Sequence, residues 1–241
     1  MKLGLASAGN SYRLGASSDG NSLSEAGGAV LQFGDASATG LFEASGHIAY
    51  TSGGGSCMLL PAATNHDING SFDAAGGVIF GAGNWTLNGY MDFGRLGGGA
   101  GTCNGVLTTV QGTNVTFVVS GANPIVTGTC AYTAFCIAAG YSNVALAATT
   151  SNTTTRLLVV GPQSGSTSGA DFGQGGSNVS LSGTFYFPNG PIALAGGAGV
   201  GDKTGQCLTL IGTQVMLTGG TVVSSSCING IVGPSPVIFV K

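Results

Sequence analysis

The chain has 241 residues and 46 glycines, and only 6% of its residues are charged, with 6 Lys and Arg against 9 Asp and Glu and a formal net charge of −3. Ordinary soluble domains hold about 25% charged residues. Six cations leave no basic patch to neutralise phosphates, which argues against nucleic acid as a partner, Val, Leu, Ile and Phe set in strand periods argue against disorder, and no run reaches the roughly 18 apolar residues of a membrane span.

The opening "MKLGLASAGNSYRLG" lacks the apolar core of a signal peptide, so a mature or trimmed form, or another export route, is expected. Strand candidates follow in chain order: "AVLQF" from Ala29, "HIAY" from His47, "GVIF" from Gly77, "NWTLNGYMDF" from Asn84, "RLLVV" from Arg156, "NVSLSGTFYF" from Asn178, "PIAL" from Pro191 and "PVIFV" from Pro236. Turns such as "GGGS", "NGS", "PNGP" and "GGAGVGDKTG" separate them. Short strands punctuated by Gly, Asn and Ser indicate an all-β chain. "GPQSGSTSGADFGQGGS", from Gly161 to Ser177, reads by composition as a surface loop or linker within a single domain. Residues 1–75 look less regular than the rest.

The two ten-residue candidates share one rhythm. Alternation places Trp85, Leu87, Gly89, Met91 and Phe93 inside, with Asn84, Thr86, Asn88, Tyr90 and Asp92 on a wet face. The second copy puts Val179, Leu181, Gly183, Phe185 and Phe187 inside. The opening phrase recurs at Asn114, Asn143 and Gln214, giving spacings of 29 to 36 residues. That recurrence predicts a repetitive β-solenoid, parallel β-helix-like, in preference to the alternative β-sandwich.

Six cysteines allow 15 pairings. Proximity favours Cys130 with Cys136 and Cys207 with Cys227, leaving Cys57 with Cys103, and three disulfides point to an oxidising compartment. No Cys-x-x-Cys spacing suggests zinc, and His47 and His66 read as ordinary surface or strand residues. Five Asn-x-Ser/Thr sequons, at Asn69, Asn84, Asn114, Asn152 and Asn178, are explained by composition.

Catalysis is not expected. His66 and Asp67 sit in a turn-like "NHDING" and point to opposite faces, a poor dyad. Asp92 with nearby Arg95 reads as a solvated pair, and nine scattered acids offer no glycosidase-like cluster. Ser56 and Ser177 are loop serines without a His partner. Asp202 splits the Gly-Lys pair that would make "GGAGVGDKT" a phosphate loop. No cofactor or metal is called for.

The C-terminal run "LSGTFYFPNGPIALAGG", then "GQCLTLIGTQVMLTGG", "SSSC" and "PVIFVK" resembles the C-terminal region of TadG-like proteins, accessory components of bacterial tight-adherence (Flp) pilus machinery. The matching positions are Gly183 to Pro188, Cys207, Val215 to Gly219, Cys227 and Val237 to Val240, within a similarity spanning residues 100–241. Unlike that family, the sequence shows no N-terminal membrane anchor, so the resemblance implies a secreted bacterial surface role and not a tethered one.

Together these readings lead to a structural expectation: an extracellular or cell-surface subunit that self-associates as a homo-oligomer, a filament or a pilus-associated layer. The end strands are the expected contacts, through Leu3 and Leu5 at one end and Val237, Ile238, Phe239 and Val240 at the other. Two rivals remain. An adhesin-like module would use the rows Thr86, Asn88, Tyr90 and Ser180, Ser182, Thr184, Tyr186 to bind glycan, whereas a polysaccharide-acting β-helix enzyme would need carboxylates clustered on one face.

Overall fold

A computed structural model of the chain describes residues 2–3, 10–34, 40–50, 56–94, 101–103, 106–108, 110–128, 130–138, 141, 143–149, 156–173, 179–195, 199–201 and 207–224. These residues form strands joined by short corners, and no helix among them is long and apolar enough to cross a membrane.

The chain winds in coils, each adding one strand to each of three faces. The first coil is β1 (Lys2–Leu3), β2 (Asn10–Leu14) and β3 (Asn21–Glu25). The second is β4 (Val30–Phe33), β5 (Gly40–Ala44) and β6 (His47–Tyr50). The third is β7 (Cys57–Leu59), β8 (Asn65–Ile68) and β9 (Phe72–Ala74). The fourth is β10 (Gly77–Phe80), β11 (Gly83–Leu87) and β12 (Met91–Phe93). An antiparallel hairpin, β13 (Gly101–Cys103) and β14 (Val106–Thr108), interrupts the winding. The fifth coil is β15 (Val110–Thr113), β16 (Val115–Val119) and β17 (Phe135–Ile137), and the sixth is β18 (Ala145–Ala147), β19 (Leu157–Val160) and β20 (Ala170–Phe172). In the seventh, β21 (Val179–Phe187) runs through two faces before β22 (Ile192–Leu194). The eighth is β23 (Gly199–Gly201), β24 (Leu208–Gly212) and β25 (Val215–Leu217), and β26 (Val222–Ser224) begins another.

Every pairing between coils is parallel. This is the expected β-solenoid, of the parallel β-helix kind, and not a sandwich. Three sheets result: sheet A from β1 to β26, sheet B from β2 to β24, and sheet C from β3 to β25. Sheets A and B are continuous because β21 bends at Gly183, whose φ of +135° is open to glycine and strained for other residues. The pairs β2–β5, β3–β6 and β6–β9 stack in parallel as the later coils do.

Inward side chains fill the lumen with an aromatic spine. Tyr12 meets Phe33 at 5.8 Å, Phe33 meets Phe42 at 5.2 Å and Phe42 meets Trp85 at 6.1 Å. The chain of contacts continues from Trp85 through Phe80, Phe93 and Phe135 to Phe185, with centroids 5.2 to 6.3 Å apart. Such tilted and edge-on contacts add to the burial of large apolar surface.

Three sequence expectations are corrected. "NWTLNGYMDF" is not one strand but two, β11 and β12, broken at the corner Asn88–Gly89–Tyr90, where a Cβ on Gly89 would lie 2.1 Å from Ser71 Oγ. The phrase beginning at 84, 114, 143, 178 and 214 is not the coil repeat, since it introduces strands of sheet B twice, sheet A twice and sheet C once. It marks corners: Asn114 and Asn143 have φ of 59° and 57°, the left-handed conformation Asn tolerates. Actual coils vary in length, with 19 residues from Asn65 to its neighbour Asn84 and 41 from Thr116 to Leu157. Lastly, the stretch from Gly161 to Ser177 is more than loop, because Ala170 and Phe172 are buried core residues of β20. Neighbours β17 and β22 on both sides let a three-residue strand persist in a Gly- and Ser-rich setting.

Candidate functional site

Sheet C carries an unexpected outward column. Register places Ala49, Asp73, Asp92, Cys136, Asp171 and Ala193 side by side on successive coils. Each carboxylate is the middle residue of an apolar-Asp-apolar triplet, "FDA", "MDF" or "ADF", whose flanking residues point into the lumen. That triplet is the sequence signal that would have found the column.

Asp92 is therefore not a wet-face residue. It is fully buried, because the segment between β16 and β17 folds back over sheet C and Asn123 Nδ2 donates to Asp92 Oδ2 at 2.9 Å. Asp92 is covered and not solvated, and Arg95, its expected partner, lies outside the described residues. The covering segment is braced within itself, with Asn123 N–H donating to the Thr133 carbonyl at 2.7 Å and Ile125 N–H donating to Asn123 Oδ1 at 3.0 Å. The Cys130–Cys136 disulfide fastens it to the column. Burial pushes the Asp171 carboxyl above its usual range, partly offset by a hydrogen bond from the Cys130 backbone.

Beyond this cover, over the first four coils, the face of sheet C opens into a groove of about 480 Å³. Its polar lining is Asn21, His47, Ser71, Asp73 and Tyr90, and Ala122 and Pro124 of the covering segment form one wall. Asp73 keeps 7% of its exposure and accepts a long hydrogen bond, 3.5 Å, from the Tyr90 hydroxyl. Tyr90 is anchored by its N–H, which donates to Ser71 Oγ at 3.2 Å, and Ser71 N–H donates to His47 Nδ1 at 3.0 Å.

The other sequence candidates fall elsewhere. His66 is a strand residue and not part of a turn: it points inward from β8, almost fully buried, while Asp67 faces solvent, so the two remain on opposite faces. Its Nδ1 accepts from Phe42 N–H at 3.1 Å, and burial lowers its pKa to about 4. Among the wet rows, Thr86, Asn88, Tyr90, Ser180, Thr184 and Tyr186 are at least partly exposed, whereas Ser182 is buried beside the bend of β21. Exposed asparagines instead form amide ladders between coils, Asn84 to Asn65 at 3.1 Å and Asn88 to Asn69 at 2.6 Å. Ser56 is buried, and Gly199–Gly201 of the glycine-rich run form a strand.

Cys57 pairs with Cys103 and Cys130 with Cys136, the local and remaining choices of the sequence reading. Cys207 is also disulfide-bonded, and Cys227 lies outside the described residues. The Cys57–Cys103 bond holds the β13–β14 hairpin against the outside of sheet A, where Leu59 and Ile79 join the two sulfurs in a satellite cluster. Both bonds thus fasten insertions to the outer wall. Of the expected subunit contacts, Leu3 lies in β1, opposite Phe33 in β4, while Leu5, Val237, Ile238, Phe239 and Val240 lie outside the described residues.

No family model, curated protein or solved structure matches the chain, so the TadG-like resemblance rests on its residues alone.

Proposed function

We propose that the chain is a structural subunit of an extracellular or cell-surface assembly, stacking end to end through the last of its described coils. The observation that carries this reading is the coincidence of Ile211, Leu217 and Val222, exposed at 45%, 54% and 64%, on β24, β25 and β26. These strands belong to the three different sheets but lie at the same end of the solenoid, and among the described residues each has a neighbouring strand on one side only. A strand edge beside exposed aliphatic side chains favours pairing with another chain. Because the two ends of a solenoid differ, such contact is head-to-tail and does not close, which gives a filament. A chain with only 6% charged residues adds little repulsion, and the disulfides suit an oxidising compartment. The TadG-like resemblance suggests a bacterial pilus-associated layer as the setting.

The test is size-exclusion chromatography over rising concentration, followed by negative-stain microscopy, of the oxidised protein and of Ile211→Lys and Leu217→Lys. Concentration-dependent oligomers or fibres that either lysine abolishes would support the reading. A wild-type chain that stays monomeric at every concentration would sink it.

A further inference from the structure

The groove on sheet C is built differently from the aliphatic end coil. It crosses four coils, from Asn21 in the first to Tyr90 in the fourth. With strands about 4.8 Å apart, three spacings give a length of about 14 Å. Its volume of about 480 Å³ lies within the range of ligand clefts, roughly 300 to 1,000 Å³. Apart from β3, the terminal strand of sheet C, its floor is a sheet face whose backbone groups pair with coils on both sides, so recognition along it falls to side chains.

The chemistry of the lining narrows the occupant. Among the described residues no Lys or Arg lines the groove, and the Asp73 carboxylate lies within it, so the described lining disfavours phosphates, sulfates and uronic acids by charge. A calcium ion takes six to eight oxygen ligands, and the single carboxylate among the described lining residues is a poor start for such a shell. What the groove supplies is an acceptor at Asp73, an amide at Asn21, an imidazole whose Nδ1 is already engaged at His47, and the Tyr90 ring beside Ala122 and Pro124. A ligand suited to these groups is uncharged, dense in hydroxyls, and has apolar C–H faces between them.

We propose that this groove binds a neutral oligosaccharide laid across the strands, with sugar hydroxyls donating to Asp73 and a ring face packed on Tyr90. The Tyr90 hydroxyl lies 3.5 Å from Asp73 Oδ2, so the two groups border the same part of the groove. A charge-assisted bond to the carboxylate fixes orientation, and the aromatic face adds contact area. The covering segment sets the far wall through Asn123 on Asp92, so the groove is preformed.

The experiment is a printed array of neutral and acidic glycans, followed by calorimetry with the best neutral binder, hexagalacturonic acid and calcium chloride as separate titrants. Asp73→Asn keeps the shape and removes the charge, Tyr90→Ala removes the stacking face, and Ala122→Trp fills the groove from an exposed position. The expected result is binding to neutral glycans, weakened about tenfold by Asp73→Asn or Tyr90→Ala and abolished by Ala122→Trp with an unchanged melting temperature. The proposal is overturned if no neutral glycan binds, if the acidic hexamer or calcium binds in preference, or if binding survives Ala122→Trp. These readouts are separate from self-association, so either reading can fail alone.

Discussion

The His66 imidazole stacks on the Trp85 indole, with centroids 3.7 Å apart and planes 14° from parallel. Register puts it in the inward column of sheet B with Trp85 and Phe117, where it takes the place of an apolar ring. Its Nδ1 accepts the Phe42 N–H, so the neutral ring carries its proton on Nε2.

That position makes the fold acid-sensitive. Burial lowers the His66 pKa from 6.5 to about 4, so between these values the unfolded chain binds a proton that the folded chain refuses. Stability falls as pH drops through this window, by about 3 kcal/mol at pH 4. Asp171, whose carboxyl burial raises, acts in the opposite sense, because the folded state takes up its proton first. Urea midpoints at pH 7 and pH 4 for wild type and His66→Phe isolate the histidine. The variant should lose less stability on acidification, and equal losses would refute the assignment.

Gly183→Ala should destabilise the solenoid by about 3 kcal/mol, combining backbone strain and overpacking. The new Cβ would stand 2.7 Å from Ala148 Cβ and 2.8 Å from the Arg156 carbonyl, at a φ of +135°. Gly15→Ala, with nothing within 4 Å of the added carbon, is the control. Comparable melting temperatures for the two variants would show that the bend in β21 does not require glycine.

The two fully described disulfides should differ in their effect. Cys57–Cys103 spans 46 residues and Cys130–Cys136 only 6. Chain entropy assigns about 4 kcal/mol to the first and about 2 kcal/mol to the second. Paired serine replacements, compared by chemical denaturation, should follow that order, and the reverse order would mean that outer-wall packing outweighs loop closure.

Asn123→Ala removes a donor from a fully buried carboxylate and should cost about 2 kcal/mol. Limited proteolysis should then cut first between residues 121 and 134, where the covering segment loses its tie to Asp92. Cleavage unchanged from wild type would show that the disulfide alone holds the cover.

Much of the wall was legible in sequence, because alternation is a local property. "HIAY", "GVIF" and "RLLVV" each became strands, with Ile48, Tyr50, Val78, Phe80 and Val159 in the core. What was illegible depends on the length of the corners. Asp73, Asp92 and Asp171 share a column only after coils of unequal length have wound, so no fixed spacing announces them. The Asn-led phrase misled for a related reason: a left-handed Asn starts a strand at any corner, whichever sheet comes next. His66 was hidden by its type, since a histidine in an apolar column has the same letter as one on the surface. Asp92 was misplaced because the segment that buries it is an insertion 31 residues further along the chain.

The strands of this solenoid lie across its long axis, so the hydrogen bonds joining coil to coil run along it. Tension applied between the two ends would load those bonds in series and peel the molecule turn by turn, with an extension set by the residues in each turn. The Cys57–Cys103 bond removes 46 residues from that process, or about 160 Å of contour length. Wild type and the paired Cys57→Ser, Cys103→Ser variant pulled in an optical trap would therefore differ by one missing segment of extension. In the surface role proposed above, the crosslink would act as a stop on how far the chain can unravel under load.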